Sequence, residues 1–142
     1  MTRGSDMTNY LLDTHHATAL WRGHPALVTR VNGATDALVH VCLPSIGELW
    51  YRVFDSARPA ENEKSLREFL ARFPILDFDA PAAIEFGQIK VALHKISRPI
   101  PGVDSQIAAI ARAHNMTVLT ADQHFSVITG LRVENWLTSI ST

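Results

Sequence analysis

Four acidic residues lie at places in this sequence where strands are expected to end and helices to begin: Asp13, Glu48, Asp104 and Asp122. Clustered carboxylates repel one another, since two unit charges ~4 Å apart at an effective dielectric of about 20 interact by about 4 kcal/mol. Such a cluster either raises some pKa values or takes up a cation, and oxygen-only ligands favour Mg²⁺ or Mn²⁺. We therefore interpret the four acids as both the metal ligands and the catalytic residues of a site where a metal-activated water hydrolyses phosphodiester bonds.

The elements expected to position these acids are those of an α/β sheet. The apolar run Tyr10-Leu11-Leu12 leads directly into Asp13 and is typical of a buried parallel strand. Four further strands are predicted at residues 37–43, 75–78, 117–120 and 131–133, with helices between them. We predict a single domain with a central parallel sheet of about five strands and helices on both faces. In such a sheet every strand-to-helix junction lies at the same edge, where all four acids can meet.

Each acid also has a purely structural interpretation. Glu48 completes a Ser-x-x-Glu capping box that begins at Ser45. Asp104 and Asp122 can cap the helical turns that follow them, and Asp13 can accept hydrogen bonds from a helix N-terminus. A cap is worth ~1 kcal/mol and is common, so no single acid decides between the interpretations. The occurrence of four acids at one edge favours the metal site.

Hydroxyl and imidazole side chains accompany the acids. The hydroxyl residues are Thr14, Ser45 and Thr120. They are predicted to orient the acids or a metal-bound water, although Thr14 and Thr120 can equally be residues that merely end strands. The histidines are His15, His16 and His124. They are candidates for metal or phosphate contacts, but packing on the surface is commoner for such residues, and their role stays open.

The composition indicates one globular domain. The chain has 142 residues, of which 46% are apolar and 19% charged, enough to build a core. We expect residues 1–7 to be an N-terminal tail, with the polar stretch before the second Met as a remnant of cloning, and residues 8–142 to be the domain. No apolar run approaches the ~20 residues of a membrane span, so no membrane partner is expected.

Charge and cysteine content narrow the chemistry further. The net charge of −1 argues against a surface coated with basic residues for nucleic acid, but it leaves room for a local basic patch. Candidate phosphate contacts are Arg22, His24, Arg30, Arg52, Arg58, Lys90, Lys95 and Arg98, unless these residues only solvate helix faces. Cys42 is the sole cysteine, which excludes an internal disulfide and a cysteine zinc site. It is expected to be buried, and it fits a reducing, cytoplasmic location.

Four segments of the chain resemble, in order, the four motif blocks of PIN domains. They are Leu11–Thr14, Leu43–Leu49, Asp104–Ala111 and Leu119–Phe125. The similarity is greatest to VapC-type toxins of bacterial toxin–antitoxin pairs, and it extends over nearly the whole chain from Thr8. Any one block is weak, whereas the ordered set with these spacings is specific.

This resemblance implies a compact α/β fold and an Mg²⁺- or Mn²⁺-dependent endoribonuclease. The four acids match the acids of the family, Thr14 matches the residue after the first acid, and Thr120 matches the hydroxyl residue before the fourth. The implied partners are an RNA substrate, with tRNA and other structured RNAs as candidates, a second copy in a homodimer, and a cognate antitoxin. Such an antitoxin typically lays a C-terminal segment along the active-site groove.

Two departures from the family pattern leave the number of metal ions open. Family members often carry Asn where this chain has His15, and many carry a further acid or Asn in the stretch occupied here by His124.

Two other classes of protein compete with the nuclease. One is a protein-interaction module of the same fold with weak or no catalysis, against which the full acid set argues. The other is a phosphoryl-transfer enzyme or receiver domain, which usually needs a Lys near the strand-end acids. No Lys precedes Lys64, and Lys90 and Lys95 lie within a predicted helix.

Overall fold

The structure is a computed structural model and describes residues 7–138. Its elements in chain order are β1 (Thr8–Leu12), α1 (Thr14–Trp21), α2 (Pro25–Gly33), β2 (Ala37–Cys42), α3 (Leu43–Phe54), α4 (Pro59–Leu70), β3 (Ile75–Leu76), α5 (Ala80–Lys95), α6 (Gly102–Ala113), β4 (Thr117–Leu119), a 3-10 helix (Gln123–Val127) and β5 (Arg132–Glu134). None of the described helices has the length and apolar character needed to cross a membrane.

The five strands form one sheet in the order β3-β2-β1-β4-β5, and every neighbouring pair is parallel. Strand β1 lies at the centre, where Leu11 pairs with His40 of β2 on one side and with Val118 of β4 on the other. A central strand that is covered on both faces needs apolar residues at successive positions, which explains the run Tyr10-Leu11-Leu12. The predicted α/β fold with a five-stranded parallel sheet is confirmed.

The core has two halves, one on each face of the sheet. Leu11 and Val118 pack with residues of α5 and α6, whereas Leu12 and Leu119 pack with residues of α1, α3 and α4. Successive residues of a strand point to opposite faces, so each strand contributes to both halves. The prediction of helices on both faces is confirmed.

Several element boundaries differ from the predicted ones. Leu43 was expected in the second strand, but it begins α3, because Pro44 has a fixed φ that suits the first helical turn and no N–H to donate to a sheet. The third strand ends at Leu76 rather than at residue 78, and Asp79 caps α5 by accepting a hydrogen bond from the Ala82 N–H. The fifth strand runs to Glu134, beyond the predicted end at residue 133.

Two capping interpretations were wrong. Ser45 does not cap α3, because that helix already begins at Leu43 and Cys42 is its N-cap residue, so no capping box forms with Glu48. Asp104 does not cap α6, which begins at Gly102 after Pro101; Asp104 lies within its first turn. In both cases a proline starts the helix earlier than the cap-like residue suggested.

The expected division into a tail at residues 1–7 and a domain at residues 8–142 stays a prediction, because residues 1–6 and 139–142 lie outside the described residues. Cys42 is fully buried, as predicted.

Candidate active site

Asp13 is held by both its backbone and its side chain at the end of the central strand. Its N–H donates to the Leu119 carbonyl at 3.1 Å, which extends the pairing of β1 with β4. Its Oδ1 accepts the His16 N–H at 2.7 Å and so caps α1. Asp13 is only 4% exposed, so this carboxylate has little freedom to move. The structural interpretation of Asp13 as a cap is therefore correct, and it leaves Oδ2 without a hydrogen bond among the described residues.

Glu48 and Asp104 come from two helices that contact each other, α3 and α6. Glu48 lies in the second turn of α3, and Asp104 lies in the first turn of α6. An acid in the first turn of a helix interacts favourably with the helix dipole, which offsets part of the cost of burying the Asp104 carboxylate.

Asp122 follows β4 after a tight turn. Its N–H donates to Thr120 Oγ1 at 2.9 Å, and its Oδ1 accepts the His124 N–H at 2.9 Å, which caps the 3-10 helix. Thr120 is buried and thus fixes the turn that presents Asp122. The capping interpretation of Asp122 is correct as well.

All four predicted acids line a single pocket of about 420 Å³. Its full lining is Asp13, Thr14, His15, Glu48, Arg52, Asp104, Ala121 and Asp122. The four acids, which come from four separate segments of the chain, therefore lie together as predicted. Their roles as metal ligands and catalytic residues stay predictions at this point.

The pKa of Asp104 reflects the electrostatic environment of the pocket. Burial, followed by the negative charges of Asp122, Asp13 and, to a smaller extent, Glu48, raises the pKa of the Asp104 carboxyl to about 6. The nearby His124 lowers the pKa of Asp104. A buried carboxyl that resists ionisation beside three other acids indicates a site with excess negative charge, which a divalent cation would offset.

Asp104 and Asp122 of this pocket form a close group of donor atoms with His124, which lies beside the lining residues. One carboxylate oxygen of each and one ring nitrogen of His124 all lie within 4.8 Å of one another. The His124 Nδ1 is 3.2 Å from Asp122 Oδ1, and this imidazole is half exposed. The sequence left the role of His124 open, and the structure adds it to the donor set at the edge of the pocket.

The remaining hydroxyl residues connect two helices below the acids. Thr14 Oγ1 donates to Ser45 Oγ at 3.2 Å, which joins the first turns of α1 and α3. Ser45 Oγ is also 3.5 Å from Cys42 Sγ. Burial raises the pKa of the Cys42 thiol, so this cysteine is a packed thiol rather than a nucleophile.

The other two histidines differ in their surroundings. His15 lines the pocket, so it is available for a contact with a ligand. His16 is fully buried, so the expectation of surface packing was wrong for this residue. The Trp136 N–H donates to its Nε2 at 3.2 Å.

Of the eight candidate phosphate contacts, Arg52 is the one that lines the acid pocket. It forms no ion pair within the described part of the chain. Arg52 follows Glu48 by four residues on α3, which places both side chains on the same face of the helix. Arg30 is engaged elsewhere, 4.6 Å above the Trp136 ring, and Arg58 pairs with Glu61.

A larger pocket, of about 760 Å³, lies between α2 and the C-terminal segment, beside Tyr10, Arg30 and Trp136. Asp36 is the single carboxylate in its lining, so it lacks the donor set that a divalent cation needs. The smaller acid pocket is therefore the candidate active site.

Comparison with known proteins agrees with this geometry. Residues 10–131 match the family described as "PIN domain". The chain is 30% identical over 131 residues to the tRNA(fMet)-specific endonuclease VapC of Shigella flexneri, a match that covers 92% of this chain and 99% of that protein. The chain belongs to the PIN-domain family of VapC-type ribonuclease toxins.

Further relatives extend over the same part of this PIN domain. Ribonuclease VapC2 of Haemophilus influenzae is 32% identical over 135 residues, which cover 92% of this chain and 100% of that protein. Among solved structures, DNA-bound VapBC from Salmonella typhimurium superposes with a TM-score of 0.85 at 30% identity. That match covers 92% of this chain and 99% of the other. The match to the family therefore includes all four acid-bearing segments.

Proposed function

We propose that this PIN domain is a metal-dependent endoribonuclease acting as the toxin of a toxin–antitoxin pair. The convergence of Asp13, Glu48, Asp104 and Asp122 on one pocket carries the proposal. We further propose these four acids as the residues that hold Mg²⁺ or Mn²⁺ and support catalysis.

The donor set fits such an ion. Its strongest donors are carboxylate oxygens, which Mg²⁺ and Mn²⁺ prefer, and the raised pKa of Asp104 reflects its burial together with the negative charges of its neighbours, which a cation would offset. When bound, the ion would activate water and stabilise negative charge on a phosphodiester.

The residues of the chain have distinct tasks in this proposal. Asp13 and Asp122 are fixed by their caps, so they present carboxylates with little loss of side-chain freedom. Asp104 is ionised at neutral pH and protonated below about pH 6, so it ties ion binding to pH. The hydrogen bond between Thr14 and Ser45 holds α1 against α3 and so maintains the position of Asp13 relative to Glu48.

Arg52 is proposed as the contact for an RNA phosphate beside the acids. It supplies a positive charge in a pocket that otherwise repels the backbone of RNA, and guanidinium groups bind phosphate through paired donors. The histidine imidazole of His15 lines the same pocket and is a second candidate contact.

The relatives suggest a substrate class. The VapC proteins of Shigella flexneri and Salmonella typhimurium are described as tRNA(fMet)-specific endonucleases, at 30% and 31% identity to this chain. We therefore propose tRNA as the first substrate to test.

The antitoxin partner is proposed from the same relatives and from α3. Solved relatives are VapBC complexes. Helix α3, which carries Glu48 and Arg52, also exposes Tyr51 and Phe54, whose side chains are about two-thirds exposed. An inhibitory segment with apolar residues can cover these rings and close the pocket. The homodimer expected from the resemblance stays a prediction.

The direct test is cleavage of RNA by purified protein. Total tRNA and a transcript of initiator tRNA are incubated with wild type or Asp13→Asn in Mg²⁺, in Mn²⁺ and in EDTA. We expect discrete fragments from the wild type in either metal, and none with EDTA or with the variant. Wild-type protein that cleaves no RNA in either metal, yet binds an antitoxin tightly, would establish the interaction module instead.

A further inference from the structure

A buried histidine connects the C-terminal segment with the first acid of the pocket. His16 is fully buried, and its two ring nitrogens face different parts of the chain. The Trp136 N–H lies 3.2 Å from Nε2, and Asp13 Oδ1 lies 3.3 Å from Nδ1. The three residues are thus joined through one imidazole, although Trp136 is 120 positions away in sequence from His16.

The Trp136 contact fixes where the proton of His16 lies. A backbone N–H can donate only to an unprotonated ring nitrogen, so Nε2 is the acceptor and the proton of the neutral ring is on Nδ1. This Nδ1–H makes no hydrogen bond of full geometry among the described residues. The charged oxygen of Asp13 is the acceptor that lies within its reach.

Trp136 is itself a firm anchor for the imidazole. It is 3% exposed, its Nε1–H donates to Glu134 Oε1 at 2.9 Å, and its ring packs on Tyr10 with centroids 4.7 Å apart. Arg30 covers the ring at 4.6 Å. A backbone N–H next to such an anchored side chain holds its acceptor in one orientation.

We propose that His16 is a positioning residue for the metal site: Trp136 holds its Nε2, and its Nδ1, 3.3 Å from Asp13 Oδ1, faces the carboxylate of Asp13 and keeps it in place for the cation. This inference rests on the proposed function. Oδ1 is occupied by the His16 backbone N–H and faced by its ring, which leaves Oδ2 for the ion. Partners that orient a ligating carboxylate typically change metal affinity 10–100-fold when removed.

Amide substitutions separate the two ends of the imidazole. In His16→Asn the side-chain NH₂ can take the place of Nδ1 and face Asp13, but nothing accepts the Trp136 N–H. In His16→Gln the side-chain oxygen can take the place of Nε2 and accept that N–H, but the donor toward Asp13 is lost. His16→Leu removes both ends and keeps an apolar side chain in the buried site.

The readouts are Mn²⁺ affinity, measured without RNA from the free-ion electron paramagnetic resonance signal, and melting temperature in divalent-free buffer. We expect His16→Gln and His16→Leu to bind Mn²⁺ about 10–100-fold more weakly than wild type, and His16→Asn to keep most of the affinity. Melting temperature should depend on the Nε2 end, which accepts the Trp136 N–H. The melting temperature of His16→Gln should therefore be closer to that of wild type than the melting temperature of His16→Asn. A merely structural role predicts that affinity and melting temperature change in the same order.

His40 provides the matched control. It is also buried, and its Nδ1 lies 3.1 Å from the Tyr10 carbonyl rather than from an acid. His40→Gln and His40→Leu should lower the melting temperature without changing Mn²⁺ affinity.

Nitrogen-15 NMR of the histidine rings in the metal-free protein tests the proton position independently. We expect His16 to show the Nδ1–H tautomer, and an Nε2–H tautomer would overturn the proposal. So would Mn²⁺ affinities that are equal in wild type and all His16 variants while Asp13→Asn abolishes binding, and in that case the proposed function would stand. Absence of Mn²⁺ binding by the wild type would overturn the metal site and this inference together.

Discussion

Asp104 and Asp122 approach within 4.8 Å through their carboxylate oxygens, although one lies in the first turn of a helix and the other follows a strand. Burial of Asp104 and the charge of Asp122 together raise the Asp104 pKa to about 6, against about 3.9 in an unfolded chain. Between these values the folded protein binds a proton that the unfolded chain does not. The contribution of Asp104 to the stability of the metal-free protein therefore decreases as the pH rises from about 4 to about 6.

This pH dependence can be measured with Asp104→Asn, which keeps the shape of the side chain but cannot ionise. We expect the variant to gain in melting temperature relative to wild type when divalent-free buffer is changed from pH 5 to pH 7.5. Divalent affinity of the wild type should fall below pH 6, because protonated Asp104 is a poor ligand. An equal difference between the two proteins at both pH values would contradict the raised pKa.

Replacement of Asp13 should separate its structural role from its chemical one. In Asp13→Asn, the amide oxygen can still accept the His16 N–H, and one repelling charge is gone, so we expect metal-free melting to be no lower than in wild type. Asp13→Ala loses the cap and should be destabilised by about 0.5–2 kcal/mol. Both variants should lose cleavage. Thermal melting and the tRNA assay check these outcomes, and a large destabilisation of the Asn variant would mark Asp13 as purely structural.

Divalent ions should stabilise the folded protein by linkage. An ion present at 100 times its dissociation constant adds about 2.7 kcal/mol to the free energy of unfolding, because it binds the folded state alone. We expect millimolar Mg²⁺ or Mn²⁺ to raise the melting temperature of wild type and not of Asp13→Asn, with KCl at matched ionic strength as the control. Identical melting in all three salts would count against a preformed site.

Removal of Arg52 should weaken RNA binding without loss of the fold. Arg52→Ala removes one proposed phosphate contact, so the slope of log affinity against log salt should become shallower by about 0.7–0.9. Lys64→Ala provides the control of equal charge change, because Lys64 is exposed on α4 and does not line the pocket. Both are measured by filter binding of tRNA with Ca²⁺ in place of the catalytic metal. Equal slopes for the two variants would remove Arg52 from the RNA contact.

The sequence predicted the sheet and the meeting of the four acids because both depend on local signals. An apolar run that ends in Asp13 is enough to indicate a buried parallel strand, and parallel topology then fixes the edge where its acid lies. These local signals did not predict where a helix begins, so they did not distinguish an acid that caps a helix from an acid inside the helix. Pro101-Gly102 and Pro44 had already begun the helices of Asp104 and Glu48.

Contacts between segments distant in sequence could not be predicted from local signals. Whether the His16 ring points to the surface or to Trp136 depends on how α1 packs against the segment after β5, which no residue near His16 in sequence specifies. Arg52 could have been singled out from its spacing, since a residue four positions after Glu48 on a helix shares its face. For His124, two residues after Asp122, the spacing is not enough. The 3-10 helix that begins at Gln123 brings its ring beside Asp104.

The central position of β1 has a consequence for synthesis of the protein. Leu11 pairs with Val118, so one edge of the middle strand stays without its neighbour until most of the chain has left the ribosome. A nascent chain that has emerged only through α5 contains Asp13 and Glu48 but neither Asp104 nor Asp122. Under the proposed function, translation must nearly finish before the product can attack RNA.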